Sequence, residues 1–386
     1  MEKLQSLAGE FGVSDEIEEL LLTLPRDKTF DGSSIYQYEG AWYRPISLAG
    51  LISSRKHFQA KDSDVIVITY PKSGTTWLKA LTYAIVHRSH HAIFDSNSPL
   101  LTTNSHDLVP FLDFVYYPND NNSSEHISSN DPRIFGTHIP YPSLPDSIKN
   151  SDCRIVYMCR NPFDQFISHW KFLQNIAQEQ NVQPISFEEA FELFCKGIHS
   201  FGPSWEHVLG YWKASLDNPR KILFIKYEDV KEDTSCHVNK LADFLGCPFS
   251  DVEKSRGVIE EIVKLCSFDN MKDLEVNKTG RFRGSGAKNS KTLFIALRSC
   301  STASPLTTSL PSHPSSLPPP SVIINDRLAE SVKAKLKVVD NPNPRFLKYG
   351  SLHPDPDLAH PHPLLSEDRD YHPPLVRDGD RLHLYS

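Results

Sequence analysis

Apolar positions between residues 14 and 290 fall into two kinds of run. The first kind is short and unbroken: VIVIT at 65–69, RIFGTH at 133–138, RIVYMC at 154–159 and KILFIKY at 221–227. None alternates with polar residues, which suits strands buried on both faces of a parallel sheet. The second kind has helical spacing. In 76–88, Leu78, Leu81, Ala84 and Ile85 share one face, and 162–175, 186–196, 206–216, 229–245 and 251–265 also read as helices. End signals agree. Ser14 precedes the helix 14–24 with Asp15 and Glu16 in its first turn, and Pro25 ends it. Pro162 opens the next long helix, Ser186 and Glu189 make a capping box, and Gly197 and Gly246 are stops. Strand and helix alternate without internal repeats. The pattern predicts an α/β protein: a mostly parallel central sheet with helices on both faces and ligands at the C-terminal ends of the strands.

Three stretches depart from it. Residues 33–45 are aromatic-rich with a Gly turn and read as a loop over the core. Tyr36, Tyr38, Trp42 and Tyr43 either line an apolar pocket or simply pack. Residues 95–132 are long, polar and turn-rich, with an apolar middle, and read as a mobile lid on the acceptor side. From 293 the text turns rich in Pro, Ser and His: 14 of the 29 prolines fall in 301–386. Such text does not support a packed core. The expected organisation is a domain at 1–292 and a mostly disordered tail at 293–386 with one short cationic helix at 326–339.

Composition narrows the class. The chain has 386 residues, a hydrophobic fraction of 39% and a net charge of −7, so wholesale attraction to nucleic acid is not expected. Seven cysteines (153, 159, 195, 236, 247, 266 and 300) are scattered, with no C-x-x-C pair. That argues for a reducing compartment and against a disulfide framework or structural zinc. The first residues lack an apolar core, and no stretch reaches the ~18–20 apolar residues of a membrane span. A cytoplasmic protein without a membrane segment is the expectation.

The chemistry centres on the text after the first strand, TYPKSGTTWLKAL. A strand, a small-residue loop with a lysine and a helix start present backbone N–H groups and a helix N-terminus to an anion. Lys72 adds a point charge, and Thr75 and Thr76 add hydroxyls. The order is not G-x-x-x-x-G-K-[ST], because the lysine precedes the only glycine. Without that order or a Mg²⁺-binding aspartate motif, a P-loop kinase is disfavoured. The string Y-P-K-S-G-T-T-W instead resembles the cytosolic sulfotransferase family, in its plant form. The resemblance runs from about residue 17 to about residue 291. It implies a P-loop-NTPase-like sulfotransferase fold and a co-substrate, 3′-phosphoadenosine 5′-phosphosulfate (PAPS), with no metal. It places Lys72, Ser73, Gly74, Thr75, Thr76 and Trp77 at the 5′-phosphate end.

Other strand ends complete the implied site. Arg160 and Ser168, in R-N-P-F-D-Q-F-I-S, match the pair that holds the 3′-phosphate. Trp77 and Phe268 would flank the adenine and Tyr227 would touch its edge, and Cys266, Ser267, Phe268 and Met271 belong to the adenine-side segment C-S-F-D-N-M. His138, in T-H-I-P at a strand end, matches the catalytic histidine. An imidazole with an ordinary pKa near ~6.5 suits a base that takes a hydroxyl proton. Animal relatives often carry lysine two residues earlier. Here that residue is Gly136, so the auxiliary charge is expected to be missing and Lys72 to carry more of the leaving-group stabilisation.

The resemblance implies transfer of a sulfuryl group from PAPS to a hydroxyl of a small apolar acceptor, such as a flavonoid, steroid or hydroxyjasmonate. It does not specify which acceptor, nor the oligomeric state. Family members continue with R-K-G-x-x-G-D-W-K, which grips the 3′-phosphate. This chain reads F-I-A-L-R-S-C there and has no R-K-G-x-x-G later. The abrupt change reads as a frame change, altered splicing or a wrong gene model. The alternative function is therefore a relative that binds nucleotide or a small molecule without turnover.

Overall fold

Strand β4 is the centre of the fold. The strands in chain order are β1 (Arg26–Lys28), β2 (Ser34–Tyr38), β3 (Ala41–Tyr43), β4 (Val65–Thr69), β5 (Ile134–Thr137), β6 (Arg154–Cys159) and β7 (Ile222–Lys226). The computed structural model describes residues 14–89, 98–115, 132–179, 183 and 185–279. The chain divides into two units, Met1–Leu336 and Lys337–Ser386, and every described residue belongs to the first. The boundary expected near 292, the tail 293–386 and its helix at 326–339 lie outside the described residues.

The main sheet runs β5-β4-β6-β7 with every neighbouring pair parallel. Val65 stands opposite Ile134 on one side and Arg154 on the other. All five β4 residues are buried, and the alternation of a strand sends them to two different cores. Ile66 and Ile68 pack with Phe135, Ile155 and Tyr157 against Leu48 and Leu51 of the helix Pro45–His57 and Tyr211 of the helix Ser204–Asp217. Val65 and Val67 pack with Val156 and Met158 against Leu78, Leu81 and Ile85 of the helix Thr75–His87. Helices Thr234–Phe244 and Val258–Leu265 join that second face. Two apolar layers explain the unbroken apolar run, each buried side chain contributing about 1.5–3 kcal/mol. Helices Pro162–Glu179 and Phe187–Lys196 enclose a third cluster around Phe30 and Phe166.

Several expectations are corrected. Residues 33–45 are not a loop: β2 and β3 pair antiparallel, with β1 on the outer side of β2. Glu39 and Gly40 between them both have positive φ, the two-residue turn whose twist suits a hairpin. The aromatic residues of the hairpin pack: Tyr36, Trp42 and Tyr43 are buried. The helix expected at 229–245 is two, Tyr227–Glu232 and Thr234–Phe244, because Asp233 caps the second through the N–H of Cys236. The one expected at 251–265 breaks at Gly257, whose φ is +73°. Ser186 accepts from the Glu189 N–H, while the reciprocal capping box occurs at Ser250 and Glu253. Within 95–132, residues 98–115 form three short helices, and Leu100, His106, Val109, Leu112 and Asp113 are buried. A packed wall replaces the expected lid there, and 116–131 lie outside the described residues.

Candidate functional site

The loop after β4 is bent by two left-handed residues, Lys72 at φ +67° and Gly74 at φ +101°. Lys72 pays a steric cost there that a glycine would not. Neighbours hold the bend. The Tyr70 carbonyl accepts from the Ser73 N–H at 3.1 Å, and the Pro71 carbonyl accepts from Gln165 Nε2 at 2.7 Å. The Lys72 carbonyl accepts from Arg160 Nη1 at 3.1 Å. Thr69 and Thr75 hydroxyls meet at 2.6 Å across the loop. Gly74 has no room for a side chain: a Cβ would stand 2.6 Å from Met158 Cε and 2.8 Å from the Tyr227 ring. The chain then enters the 13-residue helix Thr75–His87, so the loop delivers a helix N-terminus, the arrangement that favours an anion. The Lys72 ammonium lies 4.3 Å from the centre of the Phe172 ring, a cation–π contact that orients it.

Arg160 follows β6 and crosses to the same loop. Its guanidinium lies 4.5 Å from the centre of the Tyr227 ring, and Trp77 meets that ring edge-on at 5.5 Å. Lys72, Arg160, Trp77 and Tyr227 are thus brought together from three strand ends. Arg160 Nε is buried without a hydrogen-bond partner, and so is the hydroxyl of the fully buried Ser168. A buried donor that stays unpaired costs about 1–3 kcal/mol, a cost that an anion reaching it would relieve. The residues present therefore fit a ligand that carries negative charge. The segment after residue 265 is placed differently from a set of contacts. Cys266 and Met271 are buried in the core of the second face, and burial pushes the Cys266 thiol well up. Ser267 spends its hydroxyl capping the Asn270 N–H. Phe268 packs against the same cluster as Trp77 and Tyr227, with Lys272 over its ring at 5.7 Å.

His138 follows β5 directly, and its environment fixes its tautomer. Nδ1 lies 2.7 Å from the Thr69 carbonyl oxygen. A carbonyl only accepts, so Nδ1 carries the proton and Nε2 keeps its lone pair. Thr69 ends the strand that leads into the Lys72 loop, so the imidazole is anchored to the loop's own root. Its backbone is held as well. His207 Nε2 donates to the His138 carbonyl at 2.9 Å, and Tyr157 donates to His207 Nδ1 at 2.9 Å. Tyr211 donates to the Ile139 carbonyl at 2.7 Å. Burial pushes His138 down to about 3 against the Thr69 carbonyl, and the charges of Lys79, His207 and Lys72 add to the push. The residue is half-buried, its ring lying between Phe111 and Phe201 at 5.0 and 5.5 Å.

One charged residue escaped the sequence reading. Lys79 is fully buried on the helix Thr75–His87, and its Nζ stands 2.7 Å from where a Cβ on Gly136 would be. The space beside His138 that Gly136 leaves is filled by the Lys79 amine from another element, whose pKa burial drives well below its usual value. A lysine side chain therefore stands where the sequence reading expected none. The signal was a lysine three and four residues after Thr76 and Thr75, hence on their helix face, in a stretch otherwise buried.

Among the described residues, no group of three His, Cys, Asp or Glu side chains could hold a metal ion, and no helix is long and apolar enough to cross a membrane. The six described cysteines are free.

A sulfotransferase domain family model matches residues 62–301. Cytosolic sulfotransferase 13 of Arabidopsis thaliana is 44% identical over 278 residues, covering 72% of this chain and 83% of that protein. Cytosolic sulfotransferase 12 of the same plant is 46% identical over 275 residues, covering 71% and 82%. The structure of an Arabidopsis thaliana sulphotransferase superposes with a TM-score of 0.56 at 44% identity, covering 66% of this chain and 85% of that one. Retinol dehydratase, crystallised with retinol and PAP, shares the fold at 20% identity and a TM-score of 0.54, covering 86% and 97%. The match spans the cradle loop, His138, Arg160 and Tyr227 together, and the chain belongs to the sulfotransferase family, among the plant cytosolic sulfotransferases.

Proposed function

We propose that this protein transfers a sulfuryl group from PAPS to a hydroxyl of a small, largely apolar acceptor in the cytosol, the compartment in its relatives' names. Sulfotransferase activity follows from the family; donor, acceptor class and residue roles are the proposal. The observation that carries it is the 2.7 Å bond from His138 Nδ1 to the Thr69 carbonyl. It leaves Nε2 as a proton acceptor at the root of the anion loop.

In this reading the loop 72–77 takes the 5′-phosphosulfate end. Arg160 and Ser168 take the 3′-phosphate, and Trp77, Tyr227 and Phe268, in the segment Cys266–Met271, take the adenine. Stacking of a base on an aromatic ring is worth ~1–3 kcal/mol. The acceptor oxygen attacks sulfur and loses its proton to His138 Nε2. The bond from sulfur to the 5′-phosphate oxygen breaks with its electron pair on that oxygen. Lys72 neutralises the charge that develops there. Burial holds His138 near 3 and not at the ordinary value expected from the sequence, so the ring is neutral at physiological pH but a weaker base than a free imidazole.

The test is transfer of labelled sulfuryl from PAPS by the full chain to a panel of flavonols, steroids, phenols and hydroxyjasmonates. Transfer to at least one class is the expected result. Binding of adenosine 3′,5′-bisphosphate with no transfer to any would replace this reading by nucleotide binding without turnover.

A further inference from the structure

Thr76 sits at the start of the helix that follows the loop, and a buried polar chain runs from its hydroxyl. Thr76 Oγ1 is 3.0 Å from His106 Nε2, and His106 Nδ1 is 3.2 Å from Lys79 Nζ. Thr76, Lys79 and His106 are all buried. The Lys79 Nζ also lies 3.2 Å from the centre of the Phe111 ring, and Phe111 stacks on His106 at 5.3 Å. Both contacts of the amine are to groups that take donors: a ring nitrogen and a π face.

With the Lys79 amine as donor to His106 Nδ1, as it is toward the Phe111 ring face, Nδ1 is the unprotonated nitrogen. In a neutral imidazole the proton must then be on Nε2. Burial pushes the His106 pKa well below its usual value and the Lys79 charge adds to the push, so the ring stays neutral. Nε2–H donates to Thr76 Oγ1. The threonine hydroxyl, with its lone pair engaged from behind, has its own proton left to give away. Burial drives the Lys79 pKa well below its usual value, opposed in part by the buried Asp113 and the exposed Asp107.

We propose that Lys79 and His106 are positioning residues that set the hydroxyl of Thr76 as an outward donor to the 5′-phosphate of the co-substrate. The inference rests on the phosphate reading of the loop given above. Without Lys79, His106 can carry its proton on either nitrogen. With it on Nδ1, Thr76 must donate inward, and its lone pairs would face an anion.

Two measurements test this. In the full chain with ¹⁵N-labelled histidine, long-range ¹H–¹⁵N NMR reads the tautomer of His106 without any ligand, the resonance being assigned by its loss in His106→Gln. A protonated Nε2 in the wild type, with mixed tautomers in Lys79→Met, is expected. A protonated Nδ1 in the wild type would overturn the inference and leave the phosphate reading intact.

The second measurement is a cycle of Lys79→Met and Thr76→Val in equilibrium binding. The probes are adenosine 3′,5′-bisphosphate and adenosine 3′-monophosphate, which lacks the 5′-phosphate. Each single variant is expected to weaken the bisphosphate by about tenfold or more, as for a hydrogen bond to a charged group. The double variant should lose no more than the worse single one, and the monophosphate should bind all forms alike. Additive losses, or equal losses for both nucleotides, would assign Lys79 to general packing and overturn the proposal. If the wild type bound the two nucleotides equally, the phosphate reading would fall and this inference with it.

Discussion

The two walls of the site are built on opposite plans. On the His138 wall the donors that hold the ring have partners: Tyr157 gives to His207, His207 to the His138 carbonyl, Tyr211 to the Ile139 carbonyl, and His138 to Thr69. On the Arg160 wall two buried donors lack one: Arg160 Nε and the hydroxyl of Ser168. The first wall spends its hydrogen bonds on holding one ring in one tautomer. The second keeps donors for a guest. A reacting group needs geometry before the substrate arrives, whereas a binding group gains most from satisfying what the free protein leaves unmet.

This contrast can be broken at several points. The largest effect should come from His138→Gln, which removes the proposed base and should lower kcat by about 10²–10⁴-fold while bisphosphate affinity in a titration stays near wild type. Lys72→Met should cost about 10²–10³-fold in kcat, since it removes a charge placed where negative charge develops; a loss confined to KM would instead make Lys72 a binding residue only. Gly74→Ala should destabilise by about 1–3 kcal/mol and abolish bisphosphate binding, because it meets both a left-handed φ and the Met158 and Tyr227 side chains. Thermal unfolding and calorimetric titration read the two effects.

Ser168→Ala and Tyr157→Phe sharpen the comparison as a pair. Ser168→Ala removes an unpartnered buried hydroxyl, so unfolding stability should not fall, but bisphosphate affinity should drop about tenfold. Tyr157→Phe removes a satisfied bond and should cost about 1 kcal/mol of stability with little change in affinity. If both behaved alike, the two walls would not differ as described.

The smallest effect is on pH. His138 is held down to about 3 and His207 to about 4, both chiefly by burial. In the unfolded chain each titrates near ~6.5. Between those values the unfolded chain binds more protons. The stability these neutral rings contribute is thus complete above about 6.5 and is lost as pH falls toward 4 and 3. Melting temperatures followed from pH 7.5 to 4 should decline, more shallowly in His207→Gln. The kcat/KM profile should show no break near 6.5, since His138 is already neutral there.

The sheet and the anion loop were legible because both are local. Five apolar or β-branched residues without polar alternation suit a strand buried on both faces, and Y-P-K-S-G-T-T-W places its loop directly after one. The hairpin at Glu39 and Gly40 was not legible, because E-G is a weaker turn signal than Asn-Gly or Asp-Gly, and the aromatic residues around it suggested packing without order. The support of His138 was not legible either. Tyr157, His207 and Tyr211 support it from other elements, His207 from 69 residues away in the chain. Lys79 was hidden by its helix, where a lysine is ordinarily solvent-facing, and only the parallel pairing of β4 with β5 brings it beside Gly136.

The most direct test is a crystal structure of the full chain with adenosine 3′,5′-bisphosphate. The account predicts the 5′-phosphate on the loop 72–76 with Lys72 Nζ upon it and His138 Nε2 facing it across the space a sulfuryl group would fill. The 3′-phosphate should rest on Arg160 and Ser168. A nucleotide bound with its 5′-phosphate away from that loop, or with the His138 ring turned so that Nδ1 leaves the Thr69 carbonyl, would contradict it.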